Sequence, residues 1–398
     1  MLTKNLFKAA FIAISGTISI SAIYAQNPFV IKGNLGKEIQ GKIRITYKSE
    51  NRYLADSAQV KDGIFVLKGA VKDPGYATIV LNPSNPKPWS QTMESLKDDQ
   101  QGFFLEEGKY VITSTSGLRT AFIKGGKEQE AYSKLMREYE PINLKNDELR
   151  KMGQKFKVEM NDTGMVRLEK ESRILKKQKE DIDSAFIADN PDSFVAFSLC
   201  FKQELSGSLI DLEKIEAKIK HFNKGVYNSD AGRKLLKRVE IAKNLSIGKP
   251  AIDFSLKDTL GNSISLHSLK GKYVLLVFWC PNSTDVLSQA HNINTVSKKF
   301  KDRNLVVLSI AYTIDNRGKN GEIVPGTGFK IWKECVNKAN MQGITLCDND
   351  GISGPLAKMY DLSFQPQCFF IDPDGTILAR NLYPNNSLSK KLETLIGK

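Results

Sequence analysis

Hydrophobic and polar positions change rhythm twice along this chain of 398 residues. From residue 28 to about 125, short β-branched or aromatic segments recur: Lys42–Tyr47, Ile64–Leu67, Ala77–Leu81, Phe103–Leu105 and Tyr110–Thr113. Turn signals separate them at Asp62-Gly63, Asp73-Pro74-Gly75 and Glu107-Gly108. This spacing predicts an antiparallel β-sandwich-like module, structural or docking in character, with no catalytic residues of its own. Between about Lys127 and Asn244, Gly and Pro thin out and apolar residues fall at helical intervals, as in Leu168, Ile174 and Leu175, or Leu212, Ile215 and Ile219. The pattern predicts helices broken near Asn161–Gly164, Asn190-Pro191 and Ser206-Gly207, with their Lys/Glu runs as solvated faces. Cys200, beside Phe197 and Leu199, reads as a core residue.

After Ile247-Gly248-Lys249-Pro250 strands alternate with helices. Tyr273–Trp279 is a continuous apolar run, as expected of a strand buried on both faces. An amphipathic helix carrying Val286, Ile293, Val296 and Phe300 follows, then a strand Leu305–Ala311, a helix near Phe329–Asn340, and a hairpin around Asp372-Pro373-Asp374-Gly375. That order calls for an α/β layered domain. The expected divisions are therefore 1–25, 26–126 (β-rich), 127–247 (α-helical) and 248–398 (α/β).

The first 25 residues change the picture of compartment. Lys4 and Lys8 precede an apolar run, Ala9–Ile23, that ends at a small residue, Ala25. This pattern reads as a secretory signal cleaved after Ala25; a run of 15 residues falls short of the roughly 20 that span a bilayer. The mature chain is then expected to be periplasmic or otherwise exported, and soluble. With no cysteine before Cys200, it is not expected to be a lipoprotein. Net charge is +14. The excess is spread evenly over the three regions rather than gathered in a stripe, which argues against nucleic acid as a partner. Three histidines without ligand spacing argue against a metal, and no cofactor is expected. Five cysteines leave at least one without an intramolecular partner.

Particular segments of the last region carry a resemblance. Ile247-Gly248-Lys249-Pro250-Ala251-Ile252-Asp253-Phe254, Leu266-His267-Ser268-Leu269-Lys270-Gly271-Lys272 and Phe364-Gln365-Pro366-Gln367-Cys368-Phe369-Phe370-Ile371-Asp372 occur in the order seen in envelope thiol–disulfide oxidoreductases. The region resembles their thioredoxin-like domain, related to peroxiredoxins. Asp56-Ser57-Ala58, Val60, Asp62-Gly63 and Phe65 give residues 26–126 a looser similarity to the β-rich domain of unknown function that precedes such domains.

The resemblance implies a Cys-x-x-Cys pair at the start of a helix. There, backbone N–H groups and the helix dipole stabilise the attacking thiolate, and the second cysteine resolves the mixed disulfide. Relatives read Phe-Trp-Ala-Ser-Trp-Cys-x-x-Cys, so the pair lies four and seven residues beyond the first Trp. Counted without gaps from Trp279, those positions are Ser283 and Val286. Both redox cysteines are absent in this register. Cys280 falls at the strand end, where it reads either as a small hydrophobe or as a lone reactive thiol loosely similar to the peroxiredoxin Cys-Pro step. The resemblance also implies a cis Gln365-Pro366 bond beside the site, with Trp279, Gln365 and Pro366 lining a groove for extended peptide. Cys335 and Cys347 are open to a structural disulfide or to two free thiols.

Two functions remain open on these residues. One is an envelope thioredoxin-fold protein without dithiol activity that binds a polypeptide or other envelope partner. The alternative is an active thiol oxidoreductase or peroxidase using Cys280 as catalytic residue and Cys368 as resolving cysteine.

Overall fold

The computed structural model describes residues 27–50, 52–83, 99–115, 117–206, 210–318, 320–362 and 365–396. The expected signal segment, 1–25, lies outside the described residues. The chain divides into two compact units, the first ending at Lys134 and the second beginning at Leu135.

In the first unit the strands are β1 (Asn27–Asn34), β2 (Gly41–Ser49), β3 (Arg52–Val60), β4 (Ile64–Val71), β5 (Gly75–Pro83), β6 (Gln100–Leu105), β7 (Gly108–Thr113) and β8 (Phe122–Lys124). They form two four-stranded sheets, β4-β1-β7-β8 and β3-β2-β5-β6. Period-two alternation builds the core: on β2, Ile43, Ile45 and Tyr47 point inward while Lys42, Arg44 and Lys48 face water. They meet Phe29, Ile31, Phe65 and Leu67 of the other sheet in one cluster. The named pairings are antiparallel except β1 with β7, which is parallel. The Asp62-Gly63 turn is realised between β3 and β4, with both residues at positive φ (48° and 75°). A Cβ on Gly63 would lie 2.1 Å from the Gly36 carbonyl oxygen, so only glycine fits there.

The helices that follow are α1 (Lys127–Val158), α2 (Asp162–Asp189), α3 (Phe194–Cys200), α4 (Lys202–Leu205), α5 (Leu212–His221), α6 (Lys224–Tyr227) and α7 (Asp230–Asn244). Their starts follow the sequence breaks. Asn161 accepts from Gly164 N at 2.8 Å, and Ser193 accepts from the amides of Val195 and Ala196, each satisfying N–H groups the helix cannot. Cys200 is half-buried rather than enclosed.

The α/β part contains the hairpin β9 (Ser255–Lys257) and β10 (Ser263–Ser265), then β11 (Tyr273–Trp279), α8 (Val286–Lys299), β12 (Leu305–Tyr312), α9 (Thr327–Ala339), β13 (Ile344–Asp348), α10 (Pro355–Met359), β14 (Gln367–Ile371), β15 (Ile377–Leu382) and α11 (Leu388–Glu393). The sheet order is β13-β12-β11-β14-β15. β11, β12 and β13 run parallel; β14 and β15 are antiparallel.

The apolar run of β11 is buried on both faces, as its composition requires. Leu275 and Val277 pack with Ile293, Val296 and Phe300 of the α8 side and Leu388 and Leu392 of α11. Leu276 and Phe278 pack on the opposite face with Leu356, Ala357 and Tyr360. Helix α7 is tied to this layer by Arg238, whose Nε and Nη2 donate to both carboxylate oxygens of Asp361 at 2.7 and 2.8 Å. Arg380 donates back to the Ala242 carbonyl at 2.8 Å.

Candidate functional site

The parallel strands β11 and β12 deliver their C-terminal ends to one edge of the sheet, and β14 starts at that same edge because Gln367 pairs with Phe278. Trp279, Cys280, Ser283 and Val286 lie on the segment leaving β11 at this edge, and Gln365, Pro366 and Cys368 on the segment entering β14. Strand β11 ends at Trp279, six residues of turn follow, and α8 opens at Val286. Ser283 N donates to the Cys280 carbonyl at 3.1 Å and Val286 N to the Ser283 carbonyl at 3.3 Å, winding the chain into the helix. Ser283 thus stands one turn before the helix, and Cys280 stands back at the strand end.

The residue at the N-cap is Asp285, which sequence reasoning missed. Its carboxylate makes no capping bond to the helix amides but turns outward. It accepts from the Ser283 hydroxyl and, at 3.1 Å, from the Tyr383 hydroxyl. The Ser283 hydroxyl above all, then the nearby Gln289 amide and Tyr383, hold this carboxyl down to about 2. Burial and the adjoining Asp285 raise the Tyr383 hydroxyl in turn. Where a dithiol enzyme would stabilise a thiolate at a helix N-terminus, this chain carries a carboxylate. An N-cap residue type was legible at Asp285; its partner Tyr383, 98 residues away, was not.

Val286, seven residues beyond Trp279, is the first helical residue and packs against Trp279, Ala311 and Trp332. Trp279 corrects an expectation. It is 1% exposed, so it forms the floor of the core under α9 and does not line a surface groove. It stands on the same strand face as Leu275 and Val277, the helix-covered one. The Gln365-Pro366 bond is cis, with Gln365 half-buried and Pro366 buried at the sheet edge.

All five cysteines are unpaired. Cys368 pairs across β11 with Val277, is 0% exposed and packs with Ile293 and Phe370; burial pushes its thiol well above the ordinary range. Cys280 lies three residues further along β11, about 10 Å at strand rise, beyond the roughly 7 Å Cα separation a disulfide tolerates. Cys335 on α9 is the thiol near Cys280: its Sγ is 3.9 Å from the carbonyl oxygen of Pro281, the next residue in the chain. Burial raises the Cys335 thiol, and the Cys280 thiol adds to that rise. Cys347 lies in the same apolar cluster, 3.3 Å from Thr313 Oγ1, its thiol also raised by burial. Among the described residues no group of three or more His, Cys, Asp or Glu could hold a metal ion. None of the described helices is long and apolar enough to cross a membrane.

The family model described as AhpC/TSA family matches residues 247–380. That stretch of the chain is similar to AhpC/TSA-family domains. Its fold is thioredoxin-like, and residues 29–132, upstream of it, match the model described as domain of unknown function DUF4369. No curated protein matches the chain. Solved structures similar to the AhpC/TSA part include the thioredoxin domain of a thiol-disulfide oxidoreductase from Bacteroides vulgatus, at 22% identity over 38% of this chain and 99% of that one, TM-score 0.33. A thiol-disulfide oxidoreductase from Bacteroides fragilis aligns at 26% identity over 37% of this chain and 99% of that one, TM-score 0.32. A thiol:disulfide interchange protein from Bacteroides sp. aligns at 22% identity over 39% and 93%, TM-score 0.32.

Proposed function

We propose that the chain is an exported envelope protein whose AhpC/TSA domain holds a polypeptide without carrying out dithiol exchange. In this reading residues 1–25 are a signal, 26–126 a β-rich domain, 127–247 a helical region and 248–398 the thioredoxin-like domain. One observation supports it: the Asp285 carboxylate, bonded to the Ser283 and Tyr383 hydroxyls, stands at the helix terminus. In the gapless count from Trp279, Ser283 and Val286 take the two redox positions. A serine hydroxyl is too weakly acidic to act as a thiolate does, and valine has nothing with which to resolve a mixed disulfide. The backbone beside Pro366, with the half-buried Gln365, is the surface on which an extended peptide would lie.

A second reading is favoured by the closeness of Cys335 to the Cys280-Pro281 step. Here the Cys280 thiolate attacks a client disulfide, forms a mixed disulfide and releases one client thiol. Cys335 then attacks the Cys280 sulfur and releases the second thiol. The client gains two electrons and two protons, and the cysteine pair becomes a disulfide. Cys335 takes the resolving role in this scheme because Cys368 is enclosed in the core.

Insulin-disulfide reduction and hydroperoxide turnover by the mature chain, beside Cys280→Ser, Cys335→Ser and Cys368→Ser, separate the two. The binding reading expects no turnover in any of them. Turnover that disappears in Cys280→Ser would sink it.

A further inference from the structure

One of the two sheets in the first unit has an exposed outer face of unusual composition. Strands β1, β4, β7 and β8 contain no aspartate or glutamate, and every charged residue in them is a lysine: Lys32, Lys68, Lys109 and Lys124. All four point outward, because their strand neighbours Ile31, Leu67, Tyr110 and Ile123 face the core. None of the four is in an ion pair among the described residues.

The register sets these lysines among aliphatic side chains. Across the sheet one row reads Val66, Lys32, Val111, Lys124, and the next reads Lys68, Val30, Lys109. On the same face Ile64, Val66, Val111 and Phe122 are 45–58% exposed, a patch rather than scattered single residues. The second sheet has outward basic residues too, Lys42, Arg44 and Lys48 of β2, but Tyr132 of α1 packs on its Tyr76 and Phe104.

We propose that the outer face of the β4-β1-β7-β8 sheet docks on an anionic phospholipid surface. A flat lattice of cations and aliphatic groups matches a membrane interface, which offers phosphates and, just beneath them, acyl chains over a whole plane. The lysine stems lie along the valines while the ammonium groups reach the phosphates. Composition disfavours a protein partner, since protein interfaces are depleted in lysine and enriched in Arg, Tyr and Trp, none of which points outward from these strands. Repulsion between lysines disfavours a second copy of the same face. The inference is independent of the polypeptide-binding reading.

The test is co-sedimentation of the full chain with vesicles of phosphatidylcholine, with or without phosphatidylglycerol, at low and high salt. Binding is expected only where phosphatidylglycerol is present, and it should weaken with salt. A lysine near such a surface is worth roughly fivefold in partition, so Lys32→Gln with Lys109→Gln should weaken binding at least about tenfold. Arginine at the same two positions should preserve it, and circular dichroism checks the fold of each variant. Lys42→Gln, Arg44→Gln and Lys48→Gln together should change it less than about twofold: they stand beyond a sheet pair about 10 Å apart, past the Debye length of roughly 8 Å. Equal loss in that triple variant would show a general basic attraction and overturn the assigned face. Equal binding to phosphatidylcholine alone overturns the role of the lysines. Poly-glutamate bound as tightly as the anionic vesicles, with the same lysine dependence, overturns the lipid assignment in favour of an acidic polypeptide. No binding to either vesicle overturns the proposal.

Discussion

At the scale of single residues, the Asp285 carboxyl is the most informative group in the α/β domain. The Ser283 hydroxyl, with Gln289 and Tyr383 behind it, lowers it from 3.8 to about 2. A carboxyl depressed in the folded state contributes stability above its ordinary value, and that contribution is lost as pH falls from 3.8 toward 2. An NMR titration should therefore place its midpoint near 2, and Ser283→Ala should move it up toward 3.8. The thiols give a second test. Cys280, Cys335, Cys347 and Cys200 are partly exposed, whereas Cys368 is fully enclosed. Alkylation followed by mass spectrometry should modify Cys368 only on global unfolding, well after the other four. In the sequence Cys200 read as a core residue and Cys368 as a resolving thiol, whereas Cys200 is half-buried and Cys368 enclosed, because neighbours along the chain do not tell which face of an element a side chain occupies. The seven-residue apolar run ending in Trp279 is the clearest case. With no polar residue to break the alternation, nothing marks its last member as core rather than groove.

At the scale of elements, strand and helix boundaries followed local chemistry where that chemistry was strong. The breaks at Asn161 and Asn190-Pro191 became helix ends, and Asp62-Gly63 became the turn that carries the chain from one sheet to the other. Strand β3 was not legible because, although exposed and half-buried positions alternate along it, the inward ones include Asp56 and Ala58, which carry no hydrophobic signal. Gly63→Ala should cost more than about 1 kcal/mol, since it adds a Cβ at positive φ against a backbone oxygen; chemical denaturation would read it. The anchor between α7 and the sheet layer gives a larger effect. Arg238 and Asp361 are both nearly buried and pair through two hydrogen bonds. Arg238→Ala leaves a carboxylate without its guanidinium and should cost about 3–5 kcal/mol in urea unfolding. Replacing both residues with apolar ones of similar volume should recover much of that loss.

At the scale of the whole molecule, the excess of 58 basic over 44 acidic side chains is spread along the chain. Binding to duplex DNA should accordingly be weak and vanish by about 0.2 M salt, as a filter-binding series would show. The sequence by itself determined the order of elements, the β-rich, helical and α/β regions, and the presence of Ser283 and Val286 four and seven residues beyond Trp279. These are properties of spacing and periodicity, which are one-dimensional. Only the tertiary structure decided what occupies the helix terminus instead and which cysteines have access to it. The Asp285–Tyr383 contact joins residues 98 apart, and the enclosure of Cys368 depends on α8 and α11 covering its face of the sheet. Burial and hydrogen bonding are set by what packs from elsewhere in the chain, and no local pattern records that.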